Sequence, residues 1–163
     1  MGEEEGYPDE TGERIEAFGS TRYGEYTKLM YRYRYEMARD RIRLRSQESA
    51  VVVLDLGCGF GYGSRLLAMR DSVTYVGIDI SSKALAYAKA KYTSRSWICA
   101  DCEYMPLKDE MFDFVTFFEV IEHVKSPTKV LKGIIRIMKK GGLLLVSTPN
   151  RNYVLAKLYR ALM

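Results

Sequence analysis

VLDLGCGFGYGS, Val53 to Ser64, decides the fold. An apolar run carries Asp55 close to its end, and Gly57, Gly59 and Gly61 then alternate with other residues. The run itself, AVVVLDL (Ala50 to Leu56), is the β-branched stretch expected of a strand buried on both faces of a parallel sheet. Glycines directly after it let a ligand approach bare backbone and permit positive φ. A dinucleotide fingerprint would read Gly-x-Gly-x-x-Gly and present a pyrophosphate to a helix N-terminus. Here the third position of that pattern, counted from Gly57, falls on Tyr62, and the Asp55 carboxylate repels phosphate.

A carboxylate beside such a turn suits a ligand with a cationic end. S-adenosylmethionine carries an ammonium and a sulfonium and no phosphate. Asp79, about 20 residues beyond Gly57, stands where an acid accepts both ribose hydroxyls. Asp101, in CADCEYMPL, is placed to accept from an exocyclic amine, with the backbone N–H of Cys102 toward a ring nitrogen; Ile80 and Met105 are expected to sandwich the ring. Each acid alone is also ordinary capping or turn chemistry.

Outward from the glycine run the chain alternates. YGSRLLAMR reads as a helix, VTYVGID as a strand, SSKALAYAKAKY as a helix capped by Ser81 or Ser82, and SWICAD as a third strand. FDFVTFFEV is a fourth strand, SPTKVLKGIIRIMKK a helix entered through Pro127 and stopped by Gly141 and Gly142, and LLLVSTPN a fifth strand. Such alternation gives a doubly wound α/β parallel sheet with right-handed crossovers, whose ligands bind beyond the C-terminal strand ends. Upstream, RYGEYTKLMYRYRYEMARDRIRLR (Arg22 to Arg45) reads as a helix with Leu29, Met30, Tyr33 and Met37 on the stripe facing the sheet. Its interleaved tyrosines and arginines also suit stacking on bases and neutralising phosphate. The division is a polar segment over 1–20 and one domain over 21–163: a cap helix 22–45, a core 50–150 and an amphipathic helix 152–163.

The chain has 163 residues and a formal charge of +4, with 47% hydrophobic and 28% charged residues, an ordinary balance for one globular domain. The acidic start, MGEEEGYPDETGER, is the opposite of a signal peptide, and a cytoplasmic protein is expected. Cys58, Cys99 and Cys102 do not suggest a disulfide framework there. Cys99 and Cys102 form a Cys-x-x-Cys, but with no second pair and with His123 as the sole histidine a structural zinc site lacks ligands.

VLDLGCGFGYGS, VGIDIS, CADCEYMPL, FDFVTFFEVIEHV and KKGGLLLVSTPNRN together resemble the successive motifs of class I S-adenosylmethionine-dependent methyltransferases. The resemblance covers Val51 to about Asn152 and implies a Rossmann-like sheet of methyltransferase type, here without the family's usual C-terminal strands. It implies that Asp55, Gly57, Cys58, Gly59 and Gly61 hold the methionine part of the cofactor, Asp79 the ribose, and Ile80, Asp101 and Cys102 the adenine. In relatives an arginine of the N-terminal helix meets the cofactor's carboxylate, for which Arg32 is the candidate.

EVIEHV, at the fourth strand end, is where an acceptor would be activated. Glu119, Glu122 and His123 can converge near the cofactor's methyl. An oxygen acceptor of high pKa needs deprotonation, either by His123 directly or with the help of a divalent ion held on Glu119, Glu122 and His123. This Glu-x-x-Glu-His pattern resembles the O-methyltransferases of ubiquinone biosynthesis, which implies Mg²⁺ as that ion, and also bacterial methyltransferases associated with cell-surface polymers. Small-RNA 2′-O-methyltransferases share it but add a histidine that this chain lacks. In many metal-free relatives the same residues brace the loop by hydrogen bonds.

The expected function is methyl transfer to an oxygen of a small or lipid-linked molecule. The alternatives are an RNA methyltransferase and a truncated cofactor-binding module that needs a partner. YVLAKLYRALM forms an apolar face with Lys157 and Arg160 on another, suited to covering the sheet or to lying on a membrane surface. A fifth strand at the sheet edge needs a cover, from that helix, from further chain or from a second copy in a homodimer.

Overall fold

The computed structural model describes residues 22–149. The polar segment 1–20 and the C-terminal amphipathic helix expected over 152–163 lie outside them. Among the described residues nine elements of regular structure alternate as expected: α1 (Arg22–Arg45), β1 (Val51–Leu56), α2 (Gly63–Leu67), β2 (Val73–Asp79), α3 (Ser82–Lys91), β3 (Ser96–Cys99), β4 (Phe112–Phe118), α4 (Pro127–Ile137) and β5 (Met138–Ser147). A 3-10 turn, Cys102–Tyr104, follows β3.

The strands form one parallel sheet in the order β3-β2-β1-β4-β5. The chain winds outward from β1 through β2 to β3, then returns to the other side of β1 for β4 and β5. The switch point, where a crevice opens between diverging connections, therefore lies at the C-terminal ends of β1 and β4. Among the described residues β5 is a sheet edge, as expected. No helix among them is long and apolar enough to cross a membrane.

Alternation along β1 sends Val51 and Val53 to one face and Leu54 and Leu56 to the other, and both faces are covered. On the first, Tyr35, Ala38 and Ile42 of α1 and Leu67 of α2 pack over Val73, Tyr75, Phe114 and Phe118. On the second, Val130, Ile134 and Ile137 of α4, one stripe at helical spacing, pack over Val76, Ile78, Val115 and Phe117.

Three local expectations are corrected. The stripe that α1 buries is Tyr35, Ala38 and Ile42, whereas Leu29 and Tyr33 are 64% and 53% exposed. Ala38 lets the helix lie close to the sheet, and Tyr35 finds a buried acceptor there, so fit outweighs side-chain size. The helix expected over YGSRLLAMR is only Gly63–Leu67, because Ala68 leaves helical geometry and the chain turns at Arg70 into β2. Gly141 and Gly142 do not stop α4, which ends at Ile137; they lie inside β5. There the pairing jumps from Phe112 opposite Met138 to Phe114 opposite Leu143, and Gly141, at φ 74°, takes up the extra residues as a bulge.

Candidate functional site

The C-terminal ends of β1 to β4 bring most of the expected residues together. After β1 the amides of Gly57 and Cys58 both donate to the Ile78 carbonyl (2.7 and 3.0 Å), which holds the loop against β2. Gly57, Gly59 and Gly61 have φ of 78°, 51° and 78°, the left-handed region that glycine enters without cost. Their reasons differ. A Cβ on Gly57 would lie 2.3 Å from Val120 Cγ2, and one on Gly61 would lie 2.5 Å from the Trp97 ring; a Cβ on Gly59 would meet nothing within 4 Å. Gly57 and Gly61 are bare because the protein packs on them, and Gly59 alone faces open space.

Asp79 ends β2 beside that opening. Its Oδ2 accepts from the Gly59 amide at 2.7 Å and its Oδ1 from the Ser81 amide at 2.9 Å. A carboxylate has about four acceptor sites, so about two stay available to hydroxyls. Ser81 also caps α3 by accepting from the Ala84 amide. Next to Asp79, Ile80 is 71% exposed, an apolar surface at the strand end. Asp101 is exposed and accepts from the Glu103 amide at 2.8 Å, opening the turn that contains Cys102. Bare backbone, a carboxylate with spare acceptor capacity, an exposed apolar side chain and a polar turn fit an adenosylated amino acid. Met105 does not join them: it is buried, with its methyl against Gly133 of α4, so the expected ring sandwich loses one side.

Asp55 is also placed otherwise than expected. Its carboxylate is only 1% exposed and accepts from three hydroxyls: Tyr75 at 2.8 Å, Thr116 at 2.8 Å and Tyr35 at 3.2 Å. Burial raises its pKa to about 6, against the pull of the Thr116, Tyr75 and Tyr35 hydroxyls toward ionisation. So enclosed, it does not reach a ligand's ammonium. Its partners come from α1, β2 and β4, and it ties the cap helix to the sheet beneath the glycine loop. The Cys58 thiol is likewise buried and held well above its ordinary pKa by desolvation, and that of Cys102 is pushed up to about 11. Neither is a thiolate at neutral pH, and all three cysteines are free.

Arg32, the candidate for the cofactor's carboxylate, turns outward and pairs with Glu36 at 2.9 Å on the exposed side of α1. Arg34 is the arginine that α1 brings to the strand ends: its guanidinium lies 3.2 Å from Glu119 Oε1, with both side chains largely buried. Glu119 also accepts from Ser147 Oγ at 2.8 Å and has a positive φ of 55°. Glu122 accepts from Thr148 Oγ1 at 3.2 Å, and His123 is exposed on the turn after β4. The expected Mg²⁺ set does not assemble. Glu119 is drawn toward α1 and β5, Glu122 toward Thr148, and no group of three His, Cys, Asp or Glu that could hold a metal occurs among the described residues. The Glu119 and Glu122 carboxylates tie the loop to α1 and β5 and to Thr148 instead. No local sequence pattern marks Arg34, Ser147 and Thr148 as the partners of these carboxylates.

A family model for a methyltransferase domain matches residues 54–146, more than half of the chain. A probable S-adenosylmethionine-dependent methyltransferase of Mycobacterium tuberculosis is 35% identical over 76 residues, 47% of this chain and 28% of that protein. A ubiquinone biosynthesis O-methyltransferase of Coxiella burnetii is 34% identical over 94 residues, 55% of this chain and 40% of that protein. The chain therefore spans less than half the length of these curated relatives. Among solved structures, a Pyrococcus horikoshii protein superposes with a TM-score of 0.65 at 28% identity, covering 80% of this chain and 63% of the other. With its sheet order, its glycine loop and a family match from the end of β1 almost to the end of β5, the chain belongs to the methyltransferase domain family and has the Rossmann-like fold of the S-adenosylmethionine-dependent enzymes.

Proposed function

We propose that this domain binds S-adenosylmethionine at the C-terminal strand ends and transfers its methyl group to an oxygen of a small or lipid-linked acceptor. The observation that carries the reading is the open face of Gly59, with its amide bonded to Asp79. In this assignment the backbone at Gly57, Gly59 and Gly61 receives the methionine part, Asp79 the ribose, and Ile80, Asp101 and Cys102 the adenine. The bound cofactor supplies an electrophilic methyl on positive sulfur. The protein's part is alignment of the acceptor and removal of its proton.

His123 is the base in this reading, since it is exposed on the turn after β4 and imidazole is the side chain that general acid–base catalysis uses most often. Glu119, at the end of β4, is pinned by Arg34 and Ser147. A metal-free mechanism is favoured because the carboxylates have protein partners. The kinship with a ubiquinone biosynthesis O-methyltransferase supports oxygen as the acceptor atom. Methyl-labelled S-adenosylmethionine offered with catechol and phenol acceptors tests this. Labelled product from wild type, and its loss in His123→Ala at unchanged cofactor affinity, is the expected result; unchanged turnover in His123→Ala removes the base.

A second reading, RNA as the acceptor, draws on the exposed rings of Tyr31 and Tyr33 beside Arg32 on α1. Steeply salt-dependent RNA binding supports it; no RNA affinity at low salt eliminates it.

A further inference from the structure

Glu103 lies in the turn after β3, beside the adenine-side residues, yet its side chain reaches the acceptor side. Its Oε1 accepts from the backbone N–H groups of Lys125 at 2.8 Å and Ser126 at 3.1 Å. Ser126 is the N-cap residue of α4 but makes no capping bond through its own side chain, and Pro127 follows with no N–H to offer. A carboxylate from another loop thus accepts from the two amides that lead into the helix, at the end that favours negative charge.

The rest of the segment is fastened to α4 as well. Lys129 Nζ stands 3.1 Å from the Tyr104 ring centroid, Met105 packs on Gly133, and Arg136 donates to the carbonyls of Leu107 at 2.8 Å and Met105 at 3.3 Å. At the other end of the link, the Glu103 amide is held by Asp101. The main chain of Glu103 therefore belongs to the cofactor side, and its carboxylate to the loop that carries Glu119, Glu122 and His123.

We propose that Glu103 is a positioning residue that couples occupancy of the adenine side of the site to the placement of the 119–126 loop. The proposal rests on the cofactor reading above. A ligand engaging Asp101 and Cys102 fixes the turn, the turn fixes the Glu103 carboxylate, and the carboxylate fixes the amides before α4. For a two-substrate transfer this lets the cofactor, once in place, tighten the acceptor side.

The test is amide hydrogen exchange over residues 119–127 with and without saturating S-adenosylhomocysteine, in wild type, Glu103→Gln and Glu103→Ala, with calorimetric affinities measured alongside. The ligand is expected to slow the Lys125 and Ser126 amides of wild type by about tenfold or more, the scale of a bond to a charged acceptor. Glu103→Ala is expected to lose that slowing while its affinity for the ligand changes by less than about threefold, and Glu103→Gln, which keeps an acceptor oxygen, to recover part of it. A purely structural role would raise exchange equally with and without ligand. Binding to wild type without slowing, or equal slowing in Glu103→Ala, overturns the coupling alone. Should Glu103→Ala not fold, Glu103→Gln decides: slowing as large as in wild type overturns the coupling. Failure of wild type to bind the ligand overturns the cofactor reading and the coupling with it.

Discussion

Arg34 of α1 and Glu119 at the end of β4 form an ion pair at 3.2 Å, and Glu119 holds a left-handed backbone, φ 55°, while doing so. A non-glycine residue there stores strain of order 1–3 kcal/mol, which the surrounding bonds must offset. With both side chains about one-fifth exposed, the pair is less screened than a surface bridge, and removing one partner leaves the other charge half-buried and uncompensated. A double-mutant cycle of Arg34→Ala and Glu119→Gln in urea should give a coupling energy of roughly 1 kcal/mol or more. Additive effects would mean that the pair does not hold the cap helix to the site.

The buried Asp55 makes stability depend on pH in a definite direction. An acid whose folded-state pKa is raised, here to about 6, favours folding below its ordinary range, and that contribution is lost as pH climbs toward 6. Against wild type, Asp55→Asn should therefore gain stability between pH 4 and pH 7, by up to about 3 kcal/mol at about 1.4 kcal/mol per pKa unit. Denaturant melts at several pH values check this, and a difference that stays flat would contradict it.

Two glycines of the same loop should respond differently. Gly61→Ala drives a methyl into Trp97 and Ala88 at positive φ and should destabilise the fold by about 2 kcal/mol or more. Gly59→Ala meets no atom and should cost only the left-handed backbone, about 1–2 kcal/mol, yet weaken S-adenosylhomocysteine binding because the new methyl occupies the open face. Thermal melts and titrations separate the two effects; equal effects on both properties would sink the distinction.

Asp79→Ala removes the acceptor of the Gly59 amide together with the proposed ribose contact. Loss of a hydrogen bond to a charged group is worth about 1.5–3 kcal/mol, so affinity for the cofactor should fall about tenfold or more. An unchanged dissociation constant would leave Asp79 as a helix-entry residue only.

Much of this was legible in the sequence for a physical reason: buried parallel strands must be apolar runs, and their connections announce themselves by glycine and capping residues. AVVVLDL, VTYVGID and FDFVTFF were readable in that way. What was not legible depends on contacts distant in sequence. In YRYRY nothing tells which phase of α1 faces the sheet until Asp55 supplies an acceptor for Tyr35, and with the phase goes the choice between Arg32 and Arg34. Asp55 read as a ligand contact because its three hydroxyl partners lie on separate elements. Glu103 holds the amides that lead into α4, more than 20 residues away, which no local capping pattern reveals. The triad at Glu119, Glu122 and His123 looked like a metal set because spacing shows proximity and not where each carboxylate turns.

Calorimetric titration of wild-type protein with S-adenosylhomocysteine, repeated with Mg²⁺, tests the central claim most directly. One equivalent bound, at an affinity that Mg²⁺ leaves unchanged, is the expected result. No heat with this compound, together with uptake of NAD or ATP, would contradict it.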